Sequence, residues 1–230
     1  MNSRPDFARR REALYERIRE AAIAEFAEHG LRGTTTQAIA DRAGLTKTKL
    51  HYYISGKEEL YQDVIDQIIG IWADLFDGIA VSRDPETVLR AYIVRKVRFS
   101  LEHPNKVKLF TNEVMRDAGM LQDHWLRSRA DVRRSASLIE SWVAEGVVRP
   151  VDPFLLLFHI WAMTEYYAVM AKQIRFFLDL GESDTVKAEH VASEIADMVL
   201  NGLLVAEADG RPAPRLNESG VRVMRGKTSR

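Results

Sequence analysis

Apolar positions recur at helical spacing along nearly the whole chain. In the first segment, four of them fall on one face of a helix: Leu14, Ile18, Ala22 and Phe26. An apolar stripe with this period is typical of an amphipathic helix that packs on a core. No run of alternating β-branched residues indicates a strand. The pattern therefore predicts an all-α protein.

Glycine and proline divide the chain into predicted elements. The first helix is predicted over residues 8–29, with Gly30 as its stop, and a long helix opens near Lys57. Asp84-Pro85 and Asp152-Pro153 each supply an N-cap followed by proline at the first helical position. The second of these pairs starts a long apolar helix, predicted to reach residue 178. The last helix is predicted over residues 184–205.

This division predicts nine helices in two domains. Three helices form a front domain over residues 1–56, and six form a bundle over residues 57–208. After Ala206 the composition shifts to glycine, proline and arginine. Such a segment has too little apolar surface to fold. We therefore expect residues 209–230 to form a flexible basic tail.

The most informative segment is residues 33–53, GTTTQAIADRAGLTKTKLHYY. Thr34 and Gln37 are spaced as a capping box, which predicts a helix that begins just after Thr34. Gly44 follows that helix where the chain must turn, with an expected positive φ. Thr46 can cap a second short helix, whose core contact is Leu50. A capped helix, a glycine turn and a second capped helix together indicate a helix-turn-helix.

The second of these helices opens with basic and hydrogen-bonding side chains. A recognition helix presents its N-terminal residues to base edges in the major groove. Lysine can donate to guanine, and threonine can contact a base or a thymine methyl group. His51 and Tyr52 are suited to phosphate contacts, and Lys57 adds a cation beside the next helix N-terminus. These features predict binding to double-stranded DNA.

At this point the sequence resembles the tetracycline-repressor (TetR) family, over about residues 12–61. The resemblance implies a three-helix DNA-binding domain, a six-helix ligand domain and a homodimer formed by the last two long helices. It also implies repression at a palindromic operator. The DNA contacts that it implies are Thr34, Thr35, Thr46, Lys47, Thr48, Lys49, His51, Tyr52 and Lys57. Ile54 replaces the family's usual phenylalanine, and His51 a frequent tyrosine.

A second, more diffuse resemblance covers residues 60–180. Residues 66–72, 108–113, 142–146 and 161–164 are similar to the pyrimidine-utilisation regulator branch, which responds to uracil and thymine. The branch leads us to expect glutamine where this chain has Glu165. An amide both donates and accepts, whereas an ionised carboxylate only accepts. A different flat heterocycle, such as a purine, therefore stays open as the small-molecule effector.

Aromatic and polar residues of the bundle are candidates for an effector pocket. Such pockets are mostly apolar with a few orienting polar groups, although aromatic residues at helical spacing also fill ordinary cores. Trp161 and Glu165 are the favoured pair, because a spacing of four places them on one helix face. The full set of predicted ligand contacts is Trp72, Phe76, Phe110, Glu113, Trp161, Glu165 and Gln173.

The composition narrows the function further. Residues 1–57 hold 11 Lys/Arg and 7 Asp/Glu, a net charge of +4, whereas residues 58–208 hold 16 and 24, a net charge of −8. A basic head on an acidic body suits a protein whose head alone touches a polyanion. The chain has no cysteine and no apolar run of membrane length, so we expect a cytoplasmic, nucleoid-associated protein that contacts no membrane.

Two other functions compete with this interpretation. A helical enzyme is disfavoured, because the six histidines show no HExxH spacing and no glycine-rich phosphate loop is present. Asp123-His124 could bind a metal but is better explained as a solvated pair, so we expect no metal and no cofactor. A TetR-like activator or a ligand-free nucleoid factor stays open as an alternative, because the sign of regulation depends on where the operator lies.

Overall fold

The computed structural model describes residues 4–77, 84–116, 121–181 and 183–205. These residues form ten helices and no strand, and the prediction of an all-α fold is confirmed. The helices in chain order are α1 (Arg4–Gly33), α2 (Thr36–Arg42), α3 (Lys47–His51), α4 (Lys57–Asp77), α5 (Pro85–Glu102), α6 (Pro104–Arg116), α7 (Gln122–Ala144), α8 (Pro153–Val169), α9 (Ala171–Phe177) and α10 (Ala188–Leu203).

The predicted interruption at Gly30 is confirmed. Its φ of 67° and ψ of 174° are non-helical, and a short helical continuation runs on to Gly33. Only glycine adopts this backbone region without strain. The guanidinium of Arg116, from α6, lies directly over Gly30, so a side chain at this position would also displace that guanidinium.

One apolar core joins α1, α2, α3 and α4. Ile18, Ala22 and Phe26 of α1 are fully buried, as the stripe predicted, and pack in this core with Leu50 of α3. The core continues along α4, where Leu60, Tyr61, Val64, Ile65 and Ile68 are buried. The predicted domain boundary at residue 56 therefore falls where the core is continuous, and the boundary stays a prediction.

A second core lies between α5, α7, α8 and α10. It contains Tyr92 and Ile93 of α5, Trp142 of α7 and Ile160 of α8. The apolar stripe of α10 closes one side of this core. The sequence pattern places Met198 in that stripe, but the structure does not, because the Met198 side chain is 62% exposed.

The predicted eighth helix was wrong in its extent. It ends at Val169, and Met170, with φ −102° and ψ 25°, leads into the separate α9. The two helices are bent by 78°. Neither glycine nor proline marks the break, so the sequence carried no local signal for it. The bundle accordingly has seven described helices instead of six.

No single helix of the described residues has the length and apolar character to cross a membrane. α8 and α9 meet both criteria only when they are taken together across their bend.

Candidate DNA-binding surface and effector site

The predicted capping box at the start of α2 was wrong by one residue. Thr35 is the N-cap, and its hydroxyl oxygen accepts a hydrogen bond from the backbone N–H of Ala38 at 3.1 Å. Thr34 is buried, and its hydroxyl donates to the carbonyls of Glu25 (3.1 Å) and Gly30 (2.8 Å) instead. Thr34 therefore caps the end of α1, and its side chain is not available to DNA. The amide of Gln37 donates to Asp41.

The turn between α2 and α3 has the predicted geometry. Gly44 adopts φ +66°, and the N–H of Leu45 returns to the carbonyl of Ala40 at 2.8 Å. The Leu45 side chain packs against the first core. Arg17 of α1 donates to the carbonyl of Ala43 at 2.6 Å, so the end of α2 is fixed to α1 as well as to α3.

α3 is anchored by a single apolar residue and presents the rest of its surface to solvent. Leu50 is completely buried, and the Thr46 hydroxyl caps the helix by accepting from the N–H of Lys49 at 3.2 Å. The remaining predicted contacts of this region are all exposed: Thr35, Thr46, Lys47, Thr48, Lys49, His51 and Tyr52. Their exposure on a fixed short helix is the arrangement that a groove-reading element requires.

Lys57 has a second role that its sequence position did not reveal. Its ammonium donates to the carbonyls of Leu31 and Thr34, both at 2.9 Å. These carbonyls lie at the end of α1, where they lack helical partners. Lys57 thus ties the start of α4 to the end of α1. A phosphate contact through the same ammonium stays a prediction.

In the bundle, Trp72 stands at the centre of an aromatic cluster. Its ring meets Phe99 edge-on at 5.1 Å between centroids, and Phe110 at 6.0 Å. The ring N–H of Trp72 is buried and has no hydrogen-bond partner among the described residues. The buried hydroxyl of Ser100, on α5, is unpartnered in the same sense. Buried polar groups are normally hydrogen-bonded, so these two have unused capacity.

A buried ion pair lies against this cluster. The Lys96 ammonium is 2.6 Å from Oε1 of Glu165 and 3.5 Å from the centre of the Trp72 ring. The Lys96 side chain is 2% exposed and that of Glu165 is 25% exposed. Burial lowers the pKa of Lys96 to about 8, against the opposing effect of the Glu165 carboxylate.

Trp161 and Glu165 both contact α5, as their spacing on one helix face suggested. The Trp161 ring N–H donates to the Tyr92 hydroxyl at 2.7 Å, one turn from the pair of Glu165 with Lys96. Burial raises the pKa of the Tyr92 hydroxyl well above its usual range. Trp161 also packs against Phe158 of its own helix, which places it largely in the second core.

The other predicted ligand contacts do not all meet at Trp72. Glu113 accepts from the Tyr61 hydroxyl at 2.6 Å, and Tyr61 lies three turns of α4 before Trp72. Burial, reinforced by Glu113, raises the pKa of Tyr61. Gln173 was wrongly placed: the break at Met170 carries it onto α9, where it is exposed and accepts from Tyr166. The side chain of Phe76 lies outside the described residues.

Lys96 and Ser100 were missed by the sequence reasoning. The signal was present, because Val88, Tyr92, Lys96 and Ser100 follow one another at four-residue spacing on α5. A lysine on an otherwise apolar helix face is unusual unless it is paired. Its partner lies 69 residues away, however, and the helical pattern alone does not identify it. In the described part of the chain, no group of side chains has the composition to hold a metal ion.

Comparison with known proteins finds family matches for both the helix-turn-helix region and the helical bundle. Residues 18–64 match the model of bacterial regulatory proteins of the tetR family, and residues 65–206 match that of the YcdC-like protein C-terminal region. The chain is similar to the HTH-type transcriptional regulator RutR of Escherichia coli K12, with 32% identity over 81% of this chain and 88% of that protein. It is 29% identical to the transcriptional repressor SCO4008 of Streptomyces coelicolor, over 77% and 90% of the two chains.

Solved structures give the same fold. The structure of the ketosteroid transcriptional regulator KstR2 of Mycobacterium tuberculosis aligns with a TM-score of 0.64 at 23% identity, over 89% of this chain and 97% of the other. AibR, solved in complex with isovaleryl coenzyme A and operator DNA, aligns with a TM-score of 0.61 at 18% identity, over 80% and 97%.

A helix-turn-helix head with a solvent-facing basic helix, joined to a helical bundle, defines a DNA-binding transcriptional regulator. The chain belongs to the TetR family. The predicted family and the predicted helix-turn-helix are therefore confirmed. Because the family and the relatives above are transcriptional regulators, the alternative of a helical enzyme is excluded.

Proposed function

We propose that this regulator is a homodimeric repressor that leaves a palindromic operator when a small flat heterocycle binds around Trp72. The exposed first turn of α3 carries the DNA-binding part of the proposal. Lys47, Thr48 and Lys49 point to solvent from a helix that is held by buried Leu50. The relatives named as repressors, and AibR in its complex with operator DNA, support the same function.

The bundle supports dimerisation mainly through α8. Phe154, Leu155, Phe158 and Tyr166 of this helix are all 38–48% exposed. An apolar face left on the surface of a protomer is a candidate for a two-fold interface. The apolar stripe of α10 packs inside the protomer, so this helix offers less exposed apolar surface to a partner. Met198 is its main exposed apolar side chain.

The Trp72 cluster supports the proposed effector site. Aromatic rings of α4, α5 and α6 pack together at Trp72, whose buried ring N–H has no hydrogen-bond partner among the described residues. Apolar rings with a few polar groups are the composition of a pocket for a flat polar ligand. The resemblance of residues 60–180 to the pyrimidine-utilisation branch points to the same ligand class. The activator alternative has no structural observation in its favour.

Four measurements test the proposal in sequence. Light scattering of the purified chain should give the mass of a dimer, and a monomer at working concentration contradicts the two-fold model. DNA selected from a random pool by the protein should contain an inverted repeat. Pyrimidines and purines should then be titrated into the complex with that DNA, and a flat heterocycle should release it. A promoter assay with the operator overlapping the start site distinguishes repression from activation.

A further inference from the structure

The positive charge of the DNA-binding head is concentrated at the start of the chain. Residues 1–11 hold four arginines and one aspartate, a net charge of +3, whereas residues 12–57 hold 7 Lys/Arg and 6 Asp/Glu, a net charge of +1. The part of the head that includes the helix-turn-helix is therefore almost neutral. Because binding to a polyanion draws on an excess of positive charge, the start of the chain supplies most of the charge that the head offers to DNA.

The arginines of this basic segment lie outside the match to the tetR family. The match covers residues 18–64, whereas Arg9, Arg10 and Arg11 lie in the second turn of α1. All three are exposed, and neither Arg9 nor Arg11 has an ion-pair partner among the described residues. Exposed side chains without partners contribute little to the free energy of unfolding. The fold itself therefore gives no reason for the charge of Arg9 and Arg11.

Arg11 lies beside the C-terminal end of the predicted recognition helix. Arg11 and Tyr15, one turn apart on α1, line a cleft together with Tyr53, which follows α3. The ring of Tyr53 meets that of Tyr52 edge-on, with 5.3 Å between centroids, and Tyr52 is 77% exposed. Glu12 also lines the cleft but is not paired with Arg11 in the described structure. Arg11 is thus next to the aromatic pair from which a phosphate contact is already predicted.

The base of the basic segment is fixed to α4. The Tyr15 hydroxyl donates to Asp63 at 3.2 Å, and Arg19 donates to the same carboxylate at 2.8 Å. The guanidinium of Arg19 also lies over the Tyr15 ring, 4.5 Å from its centre. Arg11 is only one helical turn beyond Tyr15, so its position relative to the helix-turn-helix is set by these contacts.

We infer that Arg11 is a further DNA-contacting residue, which binds a backbone phosphate at the rim of the major groove beside the half-site that α3 reads. The inference rests on the proposed role of α3. The major groove is about 12 Å wide, so side chains beside the end of a helix that occupies it lie close to the phosphates of its rim. A guanidinium forms charge-assisted and often bidentate hydrogen bonds to phosphate. Such a contact strengthens binding without reading the base sequence.

Arg9 offers a matched comparison within the same helical turn. At 3.6 residues per turn, the side chains of Arg9 and Arg11 project about 200° apart around α1. Arg9 accordingly does not line the cleft beside Tyr53. Replacing either arginine with alanine removes one exposed positive charge from the head. A difference in DNA affinity between the two variants therefore measures a contact and not the net charge.

Fluorescence anisotropy should compare the variants on the selected operator and on a duplex of the same length without the inverted repeat. Arg11→Ala should lose affinity about five- to tenfold on both DNAs at about 0.1 M salt, the scale of one released counterion. Its slope of log K against log salt should become shallower by about one. Arg11→Lys should keep most of the affinity, because an ammonium also binds phosphate. Arg9→Ala should lose less than about twofold, because a charge that makes no contact is screened.

Circular dichroism and thermal unfolding should be unchanged in all three variants, because both arginines are exposed. Equal losses in Arg11→Ala and Arg9→Ala, an unchanged salt slope in Arg11→Ala, or a loss confined to the selected operator overturns the inference. The proposed role of α3 still stands in these cases if Lys47→Ala combined with Lys49→Ala weakens operator binding. If that double variant binds the operator as tightly as the wild type, the proposed role of α3 falls with the inference.

Discussion

The DNA-binding head and the centre around Trp72 arrange their polar groups in opposite ways. In the head, the exposed polar groups of α3 stand on an apolar core, and the threonine that caps this helix bonds a residue three positions away. Around Trp72, the polar groups are buried, and the ion pair joins residues 69 positions apart. The head is thus organised by local capping, whereas the centre around Trp72 depends on the packing of α5 against α8.

The largest expected effect tests whether the exposed side chains of α3 bind DNA. Replacing both Lys47 and Lys49 with alanine should weaken binding to the selected operator by about 1–3 kcal/mol for each guanine that a lysine no longer reaches. Fluorescence anisotropy measures this change. The melting temperature should stay unchanged, because both side chains are exposed. Lys172→Ala, an exposed lysine of α9, is the control, and equal weakening there would mean that α3 is not the reading helix.

The second prediction concerns the ion pair of Lys96 and Glu165 beside Trp72. Glu165→Leu removes the only carboxylate that the described structure places against Lys96, and should lower the free energy of unfolding by about 3 kcal/mol. Urea denaturation measures the loss. Glu189→Leu removes a surface partner of Arg98 and should change stability by less than about 0.5 kcal/mol. Similar losses in the two variants would show that burial does not distinguish the pairs.

The third prediction is that the free energy of unfolding depends on pH through the buried Lys96. The folded pKa of Lys96 is about 8, below the value near 10.5 of an exposed lysine. Between these values the unfolded chain binds more protons, so stability attributable to Lys96 rises with pH. Relative to Lys96→Met, the wild type should gain about 2 kcal/mol from pH 7.5 to pH 10. Subtracting the Lys96→Met curve removes the contributions of Tyr61 and Tyr92. A flat difference would show that Lys96 titrates normally.

The smallest expected effect belongs to local capping. Thr46→Val removes the hydroxyl that accepts from the N–H of Lys49 and should cost about 1 kcal/mol of stability. Thr48→Val, exposed and not an N-cap, should cost much less. Thermal unfolding of the two variants measures the difference. If Thr48→Val proved the more damaging, the assigned start of α3 would be incorrect.

Local signals made the head predictable from the sequence. The glycine turn, the Thr46 cap and buried Leu50 all follow from residues within a few positions of one another. The exception is the choice between Thr34 and Thr35. Either threonine could cap α2, and the decision comes from tertiary packing, which turns Thr34 inward against the carbonyls of α1.

The centre around Trp72 was only partly predictable. The aromatic positions Trp72 and Phe110 and the acidic Glu165 could be found from helical spacing and resemblance. Lys96 could not be assigned, because its role depends on which helices pack together. Gln173 does not lie on α8 as predicted, because a helix break at Met170, without glycine or proline, moves every later residue off the line of α8.

α4 connects the DNA-binding head to the centre around Trp72. Its first residue, Lys57, holds the carbonyls at the end of α1, and Trp72 stands fifteen residues later against the Lys96 ammonium. At 1.5 Å per residue, these points are about 22 Å apart on one continuous rod. α4 therefore has one end bonded to the DNA-binding head and the other end packed in the Trp72 centre. A tilt of only about 3° at the Trp72 end moves the Lys57 end by about 1 Å over that length, a distance that matters to a hydrogen bond.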